Sequence, residues 1–348
     1  MGETVAGTTL RIGVVVGTYG SGQGSGGQAW LLVQGLRARG HDVRVWSRTG
    51  PSDARLPRSR RALVQGRSLL GHPDVDVLFA FERLPGADIA RLGGGVHAAW
   101  LDAAPDRMRV LRLRARDRRE LRLDRDVASR AGFVLCNAQR VAAEARAFHG
   151  LPRSRVRVIR NGVDLARFRP DDGERRAFRA ARGVRGRVAL FLGHGGARKG
   201  LDVALSAFRR AAAPQDRLWV AGTSIGALPS WAERLGAVDP ARVLPAVDAL
   251  LSPSRYDPSA NAVLEALAAG VPPVTSGRDG ASELLVDRRL RVQDPRDVEG
   301  FAEALRYAWD ARSPEQWREL AAPWPASRMV NETEALIREA ASRRSIDG

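Results

Sequence analysis

Short, nearly unbroken apolar runs recur along the chain, each followed by residues whose apolar positions return at helical spacing. Leu10-Arg-Ile-Gly-Val-Val-Val16 is the first run. A strand with one wet face would alternate; a run apolar on both faces predicts a strand buried in a parallel sheet. A glycine-rich loop, residues 17–27, follows, then a helix from about Gln28 to Ala38 closed by Gly40. His41–Trp46 reads as the next strand. Strand, glycine loop and helix make a βαβ unit whose loop can hold phosphate or sugar at the helix N-terminus. Val75–Phe81, Gly132–Ala138 and Val156–Ile159 predict further strands, with a helix from Ala138 to about Phe148. Residues 48–72 are polar and arginine-rich and read as loop and helix. Asn161-Gly-Val-Asp164 reads as a tight turn.

The scheme restarts in the second half. Val188–Leu192 predicts a buried strand, Gly193–Gly200 a glycine-rich loop, and Leu201, Leu205 and Phe208 one face of a helix. Leu218–Ala221, Ala249–Ser252 and Val271–Thr275 continue the strands. An amphipathic helix over Arg328–Ser342 ends the pattern. The fold class expected is α/β, with two parallel sheets that imply a cleft between them. The boundaries expected are 1–166 for the first domain, a polar linker at 167–186, 187–323 for the second, and a helix in 324–348 packing back on the first. The length of 348 residues fits, at about 100–200 residues per domain.

Composition narrows the setting. One cysteine, Cys136, excludes an intrachain disulfide and fits a reducing compartment. The first ten residues lack a signal-peptide pattern, and no apolar run approaches the roughly 20 residues of a membrane span. A soluble cytoplasmic protein is expected, with room for peripheral contact at the inner face of the membrane. The net charge of +17 suits phosphorylated small molecules, anionic lipid or nucleic acid. Only 6% of residues are aromatic and no helix-turn-helix or zinc-finger pattern stands out, so no nucleic acid is expected. Residues 105–130 keep Val110, Leu113, Leu121 and Val127 on one face of a densely charged helix. Such a helix can meet an anionic membrane, but its interspersed acids favour a solvated face.

The candidate chemistry concentrates in two stretches. Among 56 Lys and Arg residues the single lysine is Lys199, in the second glycine loop beside Arg198. An arginine fork and a compact ammonium at a helix N-terminus suit a diphosphate. A Schiff base between Lys199 and pyridoxal phosphate is the other chemistry open to it. The second stretch, Ser252–Thr275, carries Asp257 in a loop and, eight residues on, Glu265 in the second turn of a helix that starts near Asn261 and stops at Gly270. Carboxylates so placed accept hydroxyls, while the N–H groups of Asn261 and Ala262 at the helix start suit phosphate; a nucleotide-sugar needs both. Three glycines before His97 let backbone and imidazole approach a ligand. His41, His72 and His149 suit surface or cap roles, and His194 either lines the phosphate loop or fills its turn. The first glycine loop is too long for a dinucleotide fingerprint, and Trp46-Ser47-Arg48 stands where NAD binding needs an acid.

Taken together, Gly26-Gly27, Gly94-Gly-Val-His97, Asn161-Gly-Val-Asp164-Leu-Ala-Arg167-Phe, Arg198-Lys199-Gly200 and Asp257…Glu265 stand in the order of the family-4 retaining glycosyltransferases of the GT-B fold, which the chain resembles from about Arg11 to Ile337. It looks nearest the branch with the bacterial lipopolysaccharide-core glucosyltransferases. Asp257 stands where the family's Glu–seven residues–Glu motif has its first Glu. The resemblance implies two Rossmann-like domains facing across the cleft, and transfer of a hexose, glucose, from a nucleotide diphosphate sugar, UDP, to a hydroxyl acceptor with retention and without metal or other cofactor. Arg198 and Lys199 would hold the departing diphosphate with Gly193 in their loop, Glu265 the ribose, Asp257 the hexose, and His97 the sugar from the opposite domain. Arg167 would reach the phosphates, and Gly26 and Gly27 would line the first loop. A pyridoxal-phosphate sugar phosphorylase, a nucleotide-sugar epimerase and a basic nucleic-acid- or lipid-binding protein are the alternatives.

Overall fold

The computed structural model describes residues 8–22, 24–51, 54–55, 74–104, 115–193, 196–222, 225–311 and 313–347. His72, His194, most of segment 48–72 and the first ten residues of segment 105–130 lie outside them. The chain divides into two compact units. The described residues of Met1–Ala99, Leu111–Gly162 and Ala326–Gly348 form the first; those of Trp100–Val110 and Val163–Pro325 form the second.

The first unit is a parallel sheet of β1 (Arg11–Thr18), β2 (Asp42–Thr49), β3 (Ala54–Arg55), β4 (Val77–Ala80), β5 (Ile89–Arg91), β6 (Phe133–Cys136) and β7 (Val156–Val158), in the order β3-β2-β1-β4-β5-β6-β7. Side chains alternate across a strand, so both faces of β1 need cover. Ile12, Val14 and Val16 join Val45, Phe79, Ile89, Phe133 and Leu135 on one face. Over them lie Leu32, Val33 and Leu36 of helix Gly24–Arg37, and Met329, Val330, Leu336 and Ile337 of helix Ala326–Asp347. These two helices meet where Gly35 lacks a side chain: a Cβ there would lie 2.7 Å from a Val330 methyl. Val15, Trp46, Leu78 and Ala80 fill the other face.

Helix Gly24–Arg37 starts four residues before the expected Gln28, so Gly26 and Gly27 stand in its first turn rather than in a loop. Close packing explains both. A Cβ on Gly26 would lie 2.6 Å from the Thr18 carbonyl oxygen, and one on Gly27 2.0 Å from that of Gly22. Of segment 105–130, the described part forms the helix Ala115–Arg130.

The second unit is a parallel sheet of β8 (Val188–Leu192), β9 (Arg217–Ala221), β10 (Ala232–Gly236), β11 (Ala249–Ser252), β12 (Pro273–Ser276) and β13 (Arg291–Val292), in the order β10-β9-β8-β11-β12-β13. Its core packs Phe191, Phe208, Trp219, Phe301 and Trp317 between sheet and helices. The polar segment after Arg167 contributes to this unit: in helix Asp172–Ala180, Phe178 tilts against Trp219 at 5.3 Å, and Arg175 and Arg179 both donate to the Asp248 carboxylate.

Candidate active site

In the second unit the strand order turns between β8 and β11: β9 and β10 lie to one side of β8, and β11, β12 and β13 to the other. Loops leaving neighbouring strands in opposite directions open a crevice at their C-terminal ends, where ligands of open α/β sheets bind. The Arg198-Lys199 doublet follows β8, and Asp257 follows β11.

The loop after β8 is tighter than expected. Residues Gly196–Lys199 form one helical turn, and Gly200 then adopts φ +73° and caps helix Leu201–Ala211. Only glycine fits at 200: its conformation is left-handed, and a Cβ would lie 2.1 Å from the Pro253 carbonyl oxygen. Gly193 leaves room for lysine, since a Cβ there would approach Lys199 Cγ to 3.2 Å. Arg255 ties the two loops together. Its backbone N–H donates to the Arg198 carbonyl, and its guanidinium donates to the Ala197 carbonyl and to both oxygens of Asp202 at 2.8 and 2.6 Å.

Lys199 Nζ donates to Asp257 Oδ2 at 2.6 Å. Arg198 Nε donates to the Tyr256 carbonyl at 3.0 Å, which turns the guanidinium toward the same loop. Burial pushes the Asp257 carboxyl up, but the Lys199 and Arg198 charges outweigh it and hold the group below its ordinary value.

A second carboxyl stands behind Asp257 that the sequence did not single out. Asp279 is fully buried and accepts the N–H groups of Ala260 at 3.0 Å and Ala281 at 2.9 Å. The backbones of Asp257 and Asp279 also bridge: Asp257 N–H donates to the Arg278 carbonyl, and Gly280 N–H to the Asp257 carbonyl. Thr275 Oγ1 lies 3.1 Å from both the Ser252 carbonyl and Asp279 Oδ2. One hydroxyl proton cannot serve two acceptors. A neutral Asp279 resolves the conflict by donating to Thr275, which then donates to Ser252. Burial and the Asp257 charge act in the same direction and push the Asp279 carboxyl up to about 7.

Helix Asn261–Ala268 carries Asn261 and Ala262 in its first turn and the half-buried Glu265 in its second. Burial raises the Glu265 carboxyl, Arg167 lowers it, Asp239 raises it and Lys199 lowers it, leaving it at about 7. Arg167 Nη2 donates to Asp239 Oδ1 at 2.8 Å. The second unit therefore brings Gly193, Arg198, Lys199, Asp257, Asn261, Ala262, Glu265 and Arg167 to one end of one sheet. Gly26, Gly27 and His97 belong to the first unit. His97 opens helix His97–Ala103, its N–H donating to Asp124 Oδ2 at 2.7 Å and its Nε2 lying 3.0 Å from Asp117 Oδ1. His41 is buried between the Leu10 N–H and the Glu334 carboxylate. Among the described residues, no three His, Cys, Asp or Glu side chains cluster to hold a metal, and no helix is long and apolar enough to cross a membrane.

Known proteins align with this arrangement. A family model described as Glycosyltransferase Family 4 matches residues 23–167, and one described as Glycosyl transferases group 1 matches residues 186–310. A Burkholderia thailandensis protein named "Probable transglycosylase" is 32% identical over 231 residues, which are 65% of this chain and 62% of the relative. A glycogen synthase of Mycobacterium tuberculosis is 31% identical over 210 residues, 55% of this chain and 48% of the relative. The chain thus spans about two-fifths to three-fifths of the length of the curated relatives it matches. Among solved structures, the lipopolysaccharide-biosynthesis glycosyltransferase WaaG superposes with a TM-score of 0.73 at 18% identity, covering 95% of this chain and 98% of its own. Sucrose-phosphate synthase of Thermosynechococcus elongatus reaches 0.78 at 17% identity, covering 96% and 100%. Anabaena Alr3699/HepE in complex with UDP and glucose reaches 0.73 at 14% identity, covering 95% and 100%. The chain has the GT-B fold, and glycosyltransferase family models match it in succession, the family 4 model first and the group 1 model second.

Proposed function

We propose that the chain is a retaining glycosyltransferase that moves a hexose, glucose, from UDP-glucose to a hydroxyl acceptor. The observation that carries this is the Lys199–Asp257 ion pair at the turning point of the second sheet, with Arg198 and Glu265 beside it. Structural neighbours solved with UDP and with UDP-glucose support the choice of donor. Arg198 and Lys199 place fixed positive charge where negative charge grows on the departing diphosphate. Lys199 has three donors and spends one on Asp257, so it can bridge that carboxylate and a phosphate oxygen. Glu265 accepts the ribose hydroxyls, Asp257 those of the hexose, and the N–H groups of Asn261 and Ala262 face phosphate. Gly26, Gly27 and His97, and Arg167 near Glu265, complete the assignment. The acceptor oxygen bonds to the anomeric carbon on the side from which the diphosphate leaves, the hydroxyl proton passing to the departing phosphate oxygen, and configuration is retained. The scheme needs no metal or cofactor beyond the sugar donor. On this reading the enzyme works in the cytoplasm, and the basic segment 105–130 can meet an anionic membrane surface.

Thermal shift with UDP, UDP-glucose and other nucleotide-sugars tests the donor, because a ligand that binds only the folded state raises its stability. UDP-glucose should raise Tm and be hydrolysed or transferred. Full activity in Lys199→Ala, or no response to any nucleotide-sugar, would sink the proposal.

A further inference from the structure

The apolar face of the first sheet ends in a polar edge. Two residues beyond Phe79 stands Phe81, beyond Ile89 stands Arg91, beyond Leu135 stands Asn137, and beyond Ile159 stands Asn161. With a period of two, these side chains continue the face covered by helices Gly24–Arg37 and Ala326–Asp347 at the C-terminal ends of β4 to β7. Arg91 is 7% exposed, yet no carboxylate among the described residues pairs with it. Its Nη2 donates to the neutral Asn161 Oδ1, and its guanidinium lies 4.8 Å from the centre of the Phe81 ring. Nε and Nη1 have no partner among the described residues.

The other buried arginine of this kind, Arg255, is clamped by Asp202, and Arg83 by Asp124. A guanidinium buried without a counter-charge is costly. Burial pushes Arg91 down to about 10, so the group keeps its charge at neutral pH. Two residues beyond Leu135, the register partner of Arg91, stands Asn137, which is 2% exposed and whose side-chain oxygen has no hydrogen-bond partner among the described residues. Space opens beside the guanidinium at Gly93: among the described residues a Cβ there would meet nothing nearer than Arg91 Nη1 at 3.9 Å.

We propose that Arg91 and Asn137 form an anion-binding site of the first unit, and that the acceptor carries a phosphate or carboxylate group which this site holds. The second half of this statement rests on the glycosyltransferase reading above; the first half does not. The planar fork of Arg91 suits either anion, and the incoming charge supplies a counter-ion that the described residues do not. The amide of Asn137 can turn its donor toward the same oxygens.

Calorimetric titration of the whole protein tests it, at fixed ionic strength. Glucose 6-phosphate, glucuronate and glucose serve as probes, and UDP serves as a separate probe of the donor site. At least one anion should bind while glucose does not, and Arg91→Met and Asn137→Ala should each weaken it about tenfold or more. Tighter binding of the phosphate points to a phosphorylated acceptor, and tighter binding of the uronate to an acidic sugar. UDP affinity should be unchanged in both variants. Arg91→Lys, which keeps the charge but loses the fork, replaces Arg91→Met if the latter does not fold. Absence of anion binding, or equal binding by wild type and both variants, overturns the site. Failure of UDP to bind would instead count against the donor assignment and leave the anion result legible.

Discussion

Lys199 and Asp257 are each other's main electrostatic partner, with side chains 23% and 10% exposed. Removing one leaves the other charge largely desolvated, which typically costs about 3–5 kcal/mol. Partial exposure of the lysine puts Lys199→Ala at about 3 kcal/mol in urea unfolding. The double variant Lys199→Ala with Asp257→Ala should recover much of that stability and none of the transfer activity, which a double-mutant cycle will measure. Titration gives a further prediction. Asp279 and Glu265 are both held up at about 7, so between about pH 4 and 7 the folded chain keeps protons that the unfolded chain has released. Stability from this source is full below about pH 4 and is lost as pH rises toward 7. Asp279→Asn copies the neutral carboxyl, with one oxygen for the two N–H groups and an amide to donate to Thr275. Its Tm should therefore fall less steeply than that of wild type over the same pH range. At this scale the sequence was readable where a residue type was rare, as with the one lysine. Asp279 was hidden because Arg278-Asp279-Gly280 reads as an ordinary surface turn. Arg91 was hidden because one arginine among so many carries no signal until its burial is known.

At the scale of elements, backbone clearance decides more than propensity does. Gly200→Ala would need a left-handed alanine and a displaced Pro253 carbonyl. It should cost about 2 kcal/mol or more and weaken UDP binding, because the turn that carries Arg198 and Lys199 must shift. Gly35→Ala should lower stability by about 1–3 kcal/mol through overpacking against Val330, and adding Val330→Ala to it should relieve part of the loss; thermal melts of the two single variants and the double variant decide. The strands β1 and β8 were legible because their doubly covered stretches, residues 12–16 and 188–192, carry no polar side chain. β5, β10 and β13 were not. β5 is three residues long and ends in arginine, β13 is two residues long, and β10 is a half-buried edge strand with charged residues. The start of helix Gly24–Arg37 was also misjudged, because glycines that signal a loop here serve to bring the first turn against Thr18.

For the whole molecule, the repeated strand–loop–helix pattern revealed two parallel sheets, and the ordered motifs pointed to the GT-B fold. Helix Ala326–Asp347 supplies Met329, Val330, Leu336 and Ile337 to the face of the first sheet. Cutting the chain after Pro325 should therefore abolish the melting transition of the first unit and leave a transition of the second that UDP still raises; differential scanning calorimetry distinguishes them.

That shared arrangement bears on the order of events during synthesis. All of Val163–Pro325 is synthesised before the helix that seals the earlier sheet. The later-made half can thus settle around Trp219 while the half begun first still shows an uncovered flank of valine and phenylalanine to the cell. A stall before the codons of helix Ala326–Asp347 would expose that flank to chaperones and proteases, even though the crevice carrying Lys199 had already formed.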